Sequence, residues 1–170
     1  MKNVMNGLSM GLLLSVTASV AYGADTSDQE FLARAIRHNQ LELRLGHMAA
    51  ERASTPEVKA VGETMVKNHS ELEKQLEELT QKAGVSVNPE LSSEQRAVIT
   101  RLESISGTAF DRDFKQTLND IHVRELAMYQ DEVNRAQDPK LRTLAKKRVT
   151  KLEVTVKQAG KTEEPAAKGW

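Results

Sequence analysis

The stretch FLARAIRHNQLELRLGHMAAERA, residues 31–53, decides how the chain is read. At about 100° per residue, Phe31, Ala35, Leu45 and Ala49 fall on one face of a helix, with Leu41 and Gly46 beside them. Arg34, Arg37, Arg44, Glu51 and Arg52 gather on the opposite side. His38 and Glu42 interrupt the apolar face. A carboxylate inside a buried stripe is costly unless it is paired, protonated or bound to a cation. The remaining helices are therefore read for groups that can face Glu42.

Working outward, Ser27-Asp28-Gln29-Glu30 is a capping-box pattern, and it places the helix start at Ser27. Thr55-Pro56-Glu57 then supplies an N-cap, a proline at the first helical position and an acid in the first turn. The second helix carries an apolar stripe of Val58, Val61, Met65, Leu72, Leu76, Leu79 and Ala83, and Gly84 stops it. Lys67, Glu71, Lys74, Glu78 and Lys82 form its solvated face. A link this short forces an antiparallel hairpin. From Val85 to Ser106 the pattern breaks into a connector, in which Ser92-Ser93-Glu94-Gln95 caps a short helix lying across the bundle. Thr108-Ala109-Phe110-Asp111 resembles another capping box and opens a helix striped by Phe110, Phe114, Leu118, Ile121, Tyr129, Val133 and Ala136. Asp138-Pro139 starts the last helix, with Leu141, Leu144, Ala145, Val149, Leu152, Val156 and Ala159 inward and Gly160 as its end. The expectation is an all-α, antiparallel four-helix bundle of two hairpins with a short connector helix between the second and third long helices. A repeat supports it. At an offset of 83 residues Phe31 falls on Phe114, Glu42 on Glu125, Ala53 on Ala136 and Pro56 on Pro139.

The N-terminal residues read differently. Met1 to Gly23 has one lysine, no acid, an apolar run from Leu8 to Val20, and Ala21-Tyr22-Gly23 as a cleavage site, the layout of a secretory signal peptide. The expected domain is residues 24–159, followed by a polar, disordered tail over 160–170. A periplasmic or secreted location follows. The chain has no cysteine, which excludes a lipoprotein anchor, disulfides and thiolate ligands. No later segment is long and apolar enough to span a membrane. Without Lys2 the chain has 23 basic against 24 acidic side chains and few aromatics, which disfavours nucleic-acid binding.

Other helices do offer groups to Glu42. His69 stands between Met65 and Leu72, and His122 and Glu125 lie one turn apart inside the arc of Phe114, Leu118 and Tyr129. Arg148 and Thr155 fall in the stripe of the last helix. Facing carboxylates and imidazoles are how bundle-core metal sites are built. Glu42, His69 and His122 are the candidate ligands, with Glu125 and His38 as supporting donors, for one divalent ion: zinc, iron, manganese or copper. The Glu-x-x-His pair of di-iron centres is absent, which argues against ferroxidase-type catalysis. Alternatives stand beside this reading. A single histidine on an apolar face is ordinarily a hydrogen-bonded core residue, Met48, Met65 and Met128 read as core filler, and Glu42 can pair with Arg148 in a register-setting ion pair.

Several motifs together resemble the domain of unknown function 4142 family of exported bacterial ferritin-like proteins, often labelled outer-membrane proteins. They are Phe31-Leu32 with Ala35, Glu42 with Leu45-Gly46 and Ala49-Ala50-Glu51-Arg52-Ala53, Pro56 with Val58-Lys59, Met65-Val66-Lys67-Asn68-His69, Gly107 with Ala109-Phe110-Asp111, and His122. The resemblance spans about Asp28 to Ala159. It implies a signal-bearing, exported four-helix bundle, with Glu42, His69 and His122 on positions where the family carries Glu, His and His. Asn68 replaces the family's usual aspartate, and Thr150 and Thr155 stand where a proline and a later histidine are common. Function is expected to be metal binding in envelope stress or metal handling. The alternative is a non-catalytic structural or interaction protein, docking on an envelope protein, whose polar layer only sets helix register.

Overall fold

Two short links, each followed by a proline, fold the chain into two helical hairpins. The computed structural model describes residues 26–162, and all its regular elements are helices. They are α1 (Thr26–Arg52), α2 (Pro56–Ala83), α3 (Ser93–Glu103), α4 (Gly107–Arg135) and α5 (Pro139–Thr162). The expected signal peptide and residues 163–170 lie outside the described residues. Hairpin α1–α2 packs against hairpin α4–α5, and α3 lies outside the four-helix bundle against α1 and α4. The single long crossover is the connectivity of ferritin-like bundles.

The caps explain where these helices begin and end. Gly84 closes α2 in the left-handed conformation (φ 65°), and the Val85 amide donates to the Thr80 carbonyl at 2.9 Å. Ser92 and Gln95 form the expected capping box of α3. Asp138 accepts from the Lys140 and Leu141 amides at 2.6 and 3.1 Å and caps α5. The box expected at Thr108–Asp111 does not form. Helix α4 already begins at Gly107, which places both residues inside the helix, and Asp111 turns to the other hairpin. Its carboxylate accepts from the Ser54 and Thr55 amides, both at 2.9 Å, and from their hydroxyls at 2.9 and 2.7 Å. Thr55 therefore does not cap α2 with its own side chain. Asp28 does the same at the opposite end, accepting from the Gln137 and Asp138 amides at 3.1 and 2.9 Å.

Asp28 and Asp111 are themselves 83 residues apart, as are the links they hold. The start of each hairpin thus clasps the bend of the other, which sets α1 and α4 antiparallel. Burial pushes the Asp111 carboxyl up, but the four hydrogen bonds outweigh it and hold it below the ordinary carboxylate range. Asp111→Ala is expected to cost about 2–4 kcal/mol in urea unfolding, because it strands two amides at a helix start. Asp28→Ala should cost less, having no hydroxyl donors. A loss below about 0.5 kcal/mol in both would show that the clasps contribute nothing.

Two positions depart from the expected stripes, and one expected helix stop does not hold. Val61 is exposed, and Gly62 beside it is buried against α1. A Cβ on Gly62 would stand 2.5 Å from the Ala50 nitrogen and 2.6 Å from the Gly46 oxygen, so the two glycines mark a close helix crossing. Thr155 is exposed, its hydroxyl donating to the Lys151 carbonyl within α5. Helix α5 runs on through Gly160 to Thr162, since a glycine weakens a helix by about 1 kcal/mol without ending it.

Candidate metal centre

The apolar core is divided in two. One cluster, with Phe31, Leu76, Tyr129 and Leu141, fills the end where α1 and α5 begin. The other, with Leu45, Val58, Phe110 and Phe114, fills the end where α2 and α4 begin, and Leu91 and Leu102 of the connector complete it. Between them lies a polar layer of Glu42, His69, Glu125 and Arg148, all buried, with His38 and His122 at its margins. Glu42 is wholly inaccessible, at 0% exposure.

Glu42 stands at the middle of this layer. Its Oε2 lies 2.5 Å from His69 Nε2 and 3.9 Å from His122 Nε2. One donor atom each from Glu42, His122 and Glu125 falls within 4.8 Å of the others, a spacing that one metal ion can bridge. Neither oxygen of Glu42 has a hydrogen bond of good geometry, and Glu125 Oε2 has none either. Buried oxygens without donors are costly unless something positive meets them.

The surrounding groups orient the set. Asn39 Nδ2 donates to the His69 carbonyl at 3.1 Å, which turns its Oδ1 toward His69 Nδ1 at 2.9 Å. This amide assignment makes Nδ1 the donor and directs Nε2 at Glu42. A ring nitrogen donating to a carbonyl while the other faces the centre is the usual arrangement around metal-ligating histidines. Arg148 Nη2 donates to Glu125 Oε1 at 2.6 Å, and its guanidinium stacks 5.6 Å from the centre of the Tyr129 ring.

The layer separates its two carboxylates electrostatically. Burial pushes both up, but His69, with help from His122 and Arg148, draws Glu42 down to about 2. Glu125 is raised to about 8 by burial and by the Glu42 charge, which Arg148 only partly offsets. Burial lowers His122 and His38 below the ordinary imidazole value, leaving lone pairs available on neutral rings. Burial works against charge on Arg148 too, yet the Glu125, Tyr129 and Glu42 fields raise it overall.

Of the residues singled out from the sequence, Glu42, His122 and Glu125 come together, and His69 joins through Glu42. His38 sits one turn from Glu42 but its donor atoms are not part of the three-residue group. The pairing considered for Glu42 and Arg148 is corrected: Arg148 bonds Glu125, and His69 occupies the position beside Glu42. Asn39 is not among the residues singled out from the sequence. Its position, one turn from both Ala35 and Glu42, was the available signal for an inward polar residue.

Comparison with known proteins agrees with this architecture. The family model described as Domain of unknown function (DUF4142) matches residues 15–162. The chain belongs to this family. No curated protein matches it. Among solved structures, CopM in the Cu(II)-bound form is similar at TM-score 0.67 and 18% identity, over 79% of this chain and 93% of that one. A DUF305 fragment from Deinococcus radiodurans is similar at TM-score 0.73 and 18% identity, over 82% and 96%. A DUF305 protein from Streptomyces coelicolor, described as secreted, is similar at TM-score 0.69 and 13% identity, over 84% and 92%. At such identities the likeness is one of fold. It places the DUF4142 chain among helical proteins that share its bundle, and no described helix is long and apolar enough to cross a membrane.

Proposed function

We propose that this protein binds one transition-metal ion in its polar layer and serves metal handling outside the cytoplasm. The observation that carries the reading is that the buried oxygens of Glu42 and Oε2 of Glu125, which lack a hydrogen bond of good geometry, gather with His122 closely enough for one ion. Glu42, Glu125 and His122 are the ligands. His69 is the group that orients Glu42 and can give up its own contact to the ion. A mixed nitrogen and oxygen set suits Cu(II) best among divalent ions and admits zinc, iron and manganese. The CopM structures with Cu(II), Cu(I) and silver bound support copper as the first ion to test. The signal-peptide pattern and a relative described as secreted support the location.

Access is available from one side. A cavity of about 460 Å³ opens between α2 and α5, with His69, His122 and Arg148 on its lining. An ion entering there meets His122 before the buried carboxylates. Elemental analysis after gel filtration, with calorimetric titration of metal-free protein, tests the proposal. About one ion per chain is expected, with affinity lowered roughly 10–100-fold in Glu42→Gln or His122→Ala. Circular dichroism reports whether each variant is folded. Unchanged binding in the combined Glu42→Gln, His122→Leu, Glu125→Gln protein would overturn the site.

A second reading rests on the 2.6 Å contact between Arg148 and Glu125, which already neutralises one carboxylate. In that case the layer only sets register between the hairpins, as buried polar groups do in some bundles. No uptake of copper, zinc, iron or manganese by folded protein would favour it.

A further inference from the structure

The opposite side of the bundle holds a second cavity, of about 350 Å³, between α1, α3 and α4. Arg34 and Arg37 of α1 and Arg124 of α4 line it, with His38 beside them. Helix α3 points its N-terminal residues Ser92, Glu94 and Gln95 into the same space, and the Gln95 amide donates to the Arg37 carbonyl at 3.3 Å. Among the described residues no acid lies within ion-pair distance of these three arginines, although six other charged contacts and a buried Arg148 pair form elsewhere. Arg124 donates only to the Asp120 carbonyl of its own helix, at 3.1 Å.

Three guanidinium groups from two helices repel one another and are ordinarily dispersed or neutralised; Arg34 also feels the Glu132 carboxylate of α4. Here they converge on a concave surface. The one carboxylate on the lining, Glu94, is exposed and faces three positive charges there. The N-terminus of α3 adds its own positive end. His38 Nδ1 is buried at the cavity with no hydrogen-bond partner, and so remains open to one.

We propose that this cavity between α1, α3 and α4 binds a phosphate-bearing anion, held by Arg34, Arg37 and Arg124 with His38 as a hydrogen-bonding group. The fork of each guanidinium matches two phosphate oxygens, and a doubly charged phosphate balances the excess charge of the lining. The volume admits a small phosphate ester as well as the bare ion. The arginines are separate from the metal centre, since none of them pairs with Glu42, His122 or Glu125, whereas His38 adjoins both.

The chemistry is shared by free phosphate esters and by the headgroups of anionic lipids, and two arms separate these sources. In one, inorganic phosphate and glycerol phosphate are titrated into metal-free protein at constant ionic strength and followed by calorimetry. In the other, the protein is floated with phosphatidylglycerol vesicles. Binding in either arm is expected to fall at least about tenfold in Arg37→Gln, Arg124→Gln protein and to tighten in Glu94→Gln. Lys67→Gln, Lys74→Gln protein, altered on the outer face of α2, is expected to bind as the parent does. Copper uptake by the arginine variant should be unaffected, which keeps this result separate from the metal test. No binding in either arm, or equal loss in the lysine and arginine variants, would overturn the proposal.

Discussion

Replacing Arg148 with methionine is expected to cost about 1–3 kcal/mol more metal-free stability at pH 10 than at pH 5. Methionine keeps most of the stem's packing against Tyr129 while removing the charge. What it leaves behind is Glu125, 2% exposed, with its Oε1 partner gone and its Oε2 already unpartnered. The pH dependence follows from protonation. Glu125 stands at about 8 in the folded protein against an ordinary value of 4.5. The native state therefore keeps a proton that the unfolded chain releases, and stability falls as pH rises between those values. Without Arg148 the folded value climbs further, so the loss continues to higher pH. At pH 5 Glu125 is neutral in both proteins and needs the guanidinium least.

Urea unfolding at the two pH values, with a chelator present, measures both costs. Adding Glu125→Leu to the variant is expected to recover most of the loss, because a buried ion pair replaced whole by apolar groups is often neutral. Equal losses at pH 5 and pH 10, with no recovery in the double variant, would assign the effect to packing against Tyr129 alone.

Gly62→Ala is expected to destabilise the protein by about 1–3 kcal/mol, although the same change in an open helix gains about 1 kcal/mol. The added Cβ would stand 2.8 Å from Ala49 Cβ and nearer still to the backbone of α1, which cannot turn aside as a side chain can. Gly46→Ala meets its nearest atoms at 3.1 Å and should cost less. The crossing also governs the polar layer. Gly46 lies one turn beyond Glu42 and Gly62 two turns before His69, so parting the helices here lengthens the contact between Glu42 and His69. Thermal unfolding and copper titration of both variants check the two effects. A higher melting temperature in Gly62→Ala would refute the close crossing.

These two positions show how far periodicity can be followed. Arg148 was legible as an inward residue, because it falls within the stripe of α5. Its partner was not, since choosing between Glu42 and Glu125 requires knowing how far one hairpin is raised against the other. Val61 and Gly62 are neighbours in sequence but about 100° apart on the wheel, and the close crossing turns Gly62 to α1. The stripe favoured the larger apolar residue, whereas the helices approach closely enough to require the smaller one. Thr155 failed for a related reason: the cavity between α2 and α5 leaves that part of the helix open to solvent.

By itself the sequence determined the four amphipathic helices, their two hairpins and the inward placement of Glu42, His69 and Glu125. These depend on local spacing, on caps and prolines, and on links too short to allow another path. The relation between the hairpins depended on tertiary structure. Asp28 and Asp111 each reach the bend of the other hairpin, so their roles lie in contacts across more than fifty residues. That clasp sets the height of α4 and α5 against α1 and α2. It thereby determines that Glu42 meets His69, that Arg148 meets Glu125, and that His122 comes within reach of both carboxylates. Helical periodicity repeats every turn and is indifferent to such a shift, whereas hydrogen bonds and ion pairs, acting over about 3 Å, are not.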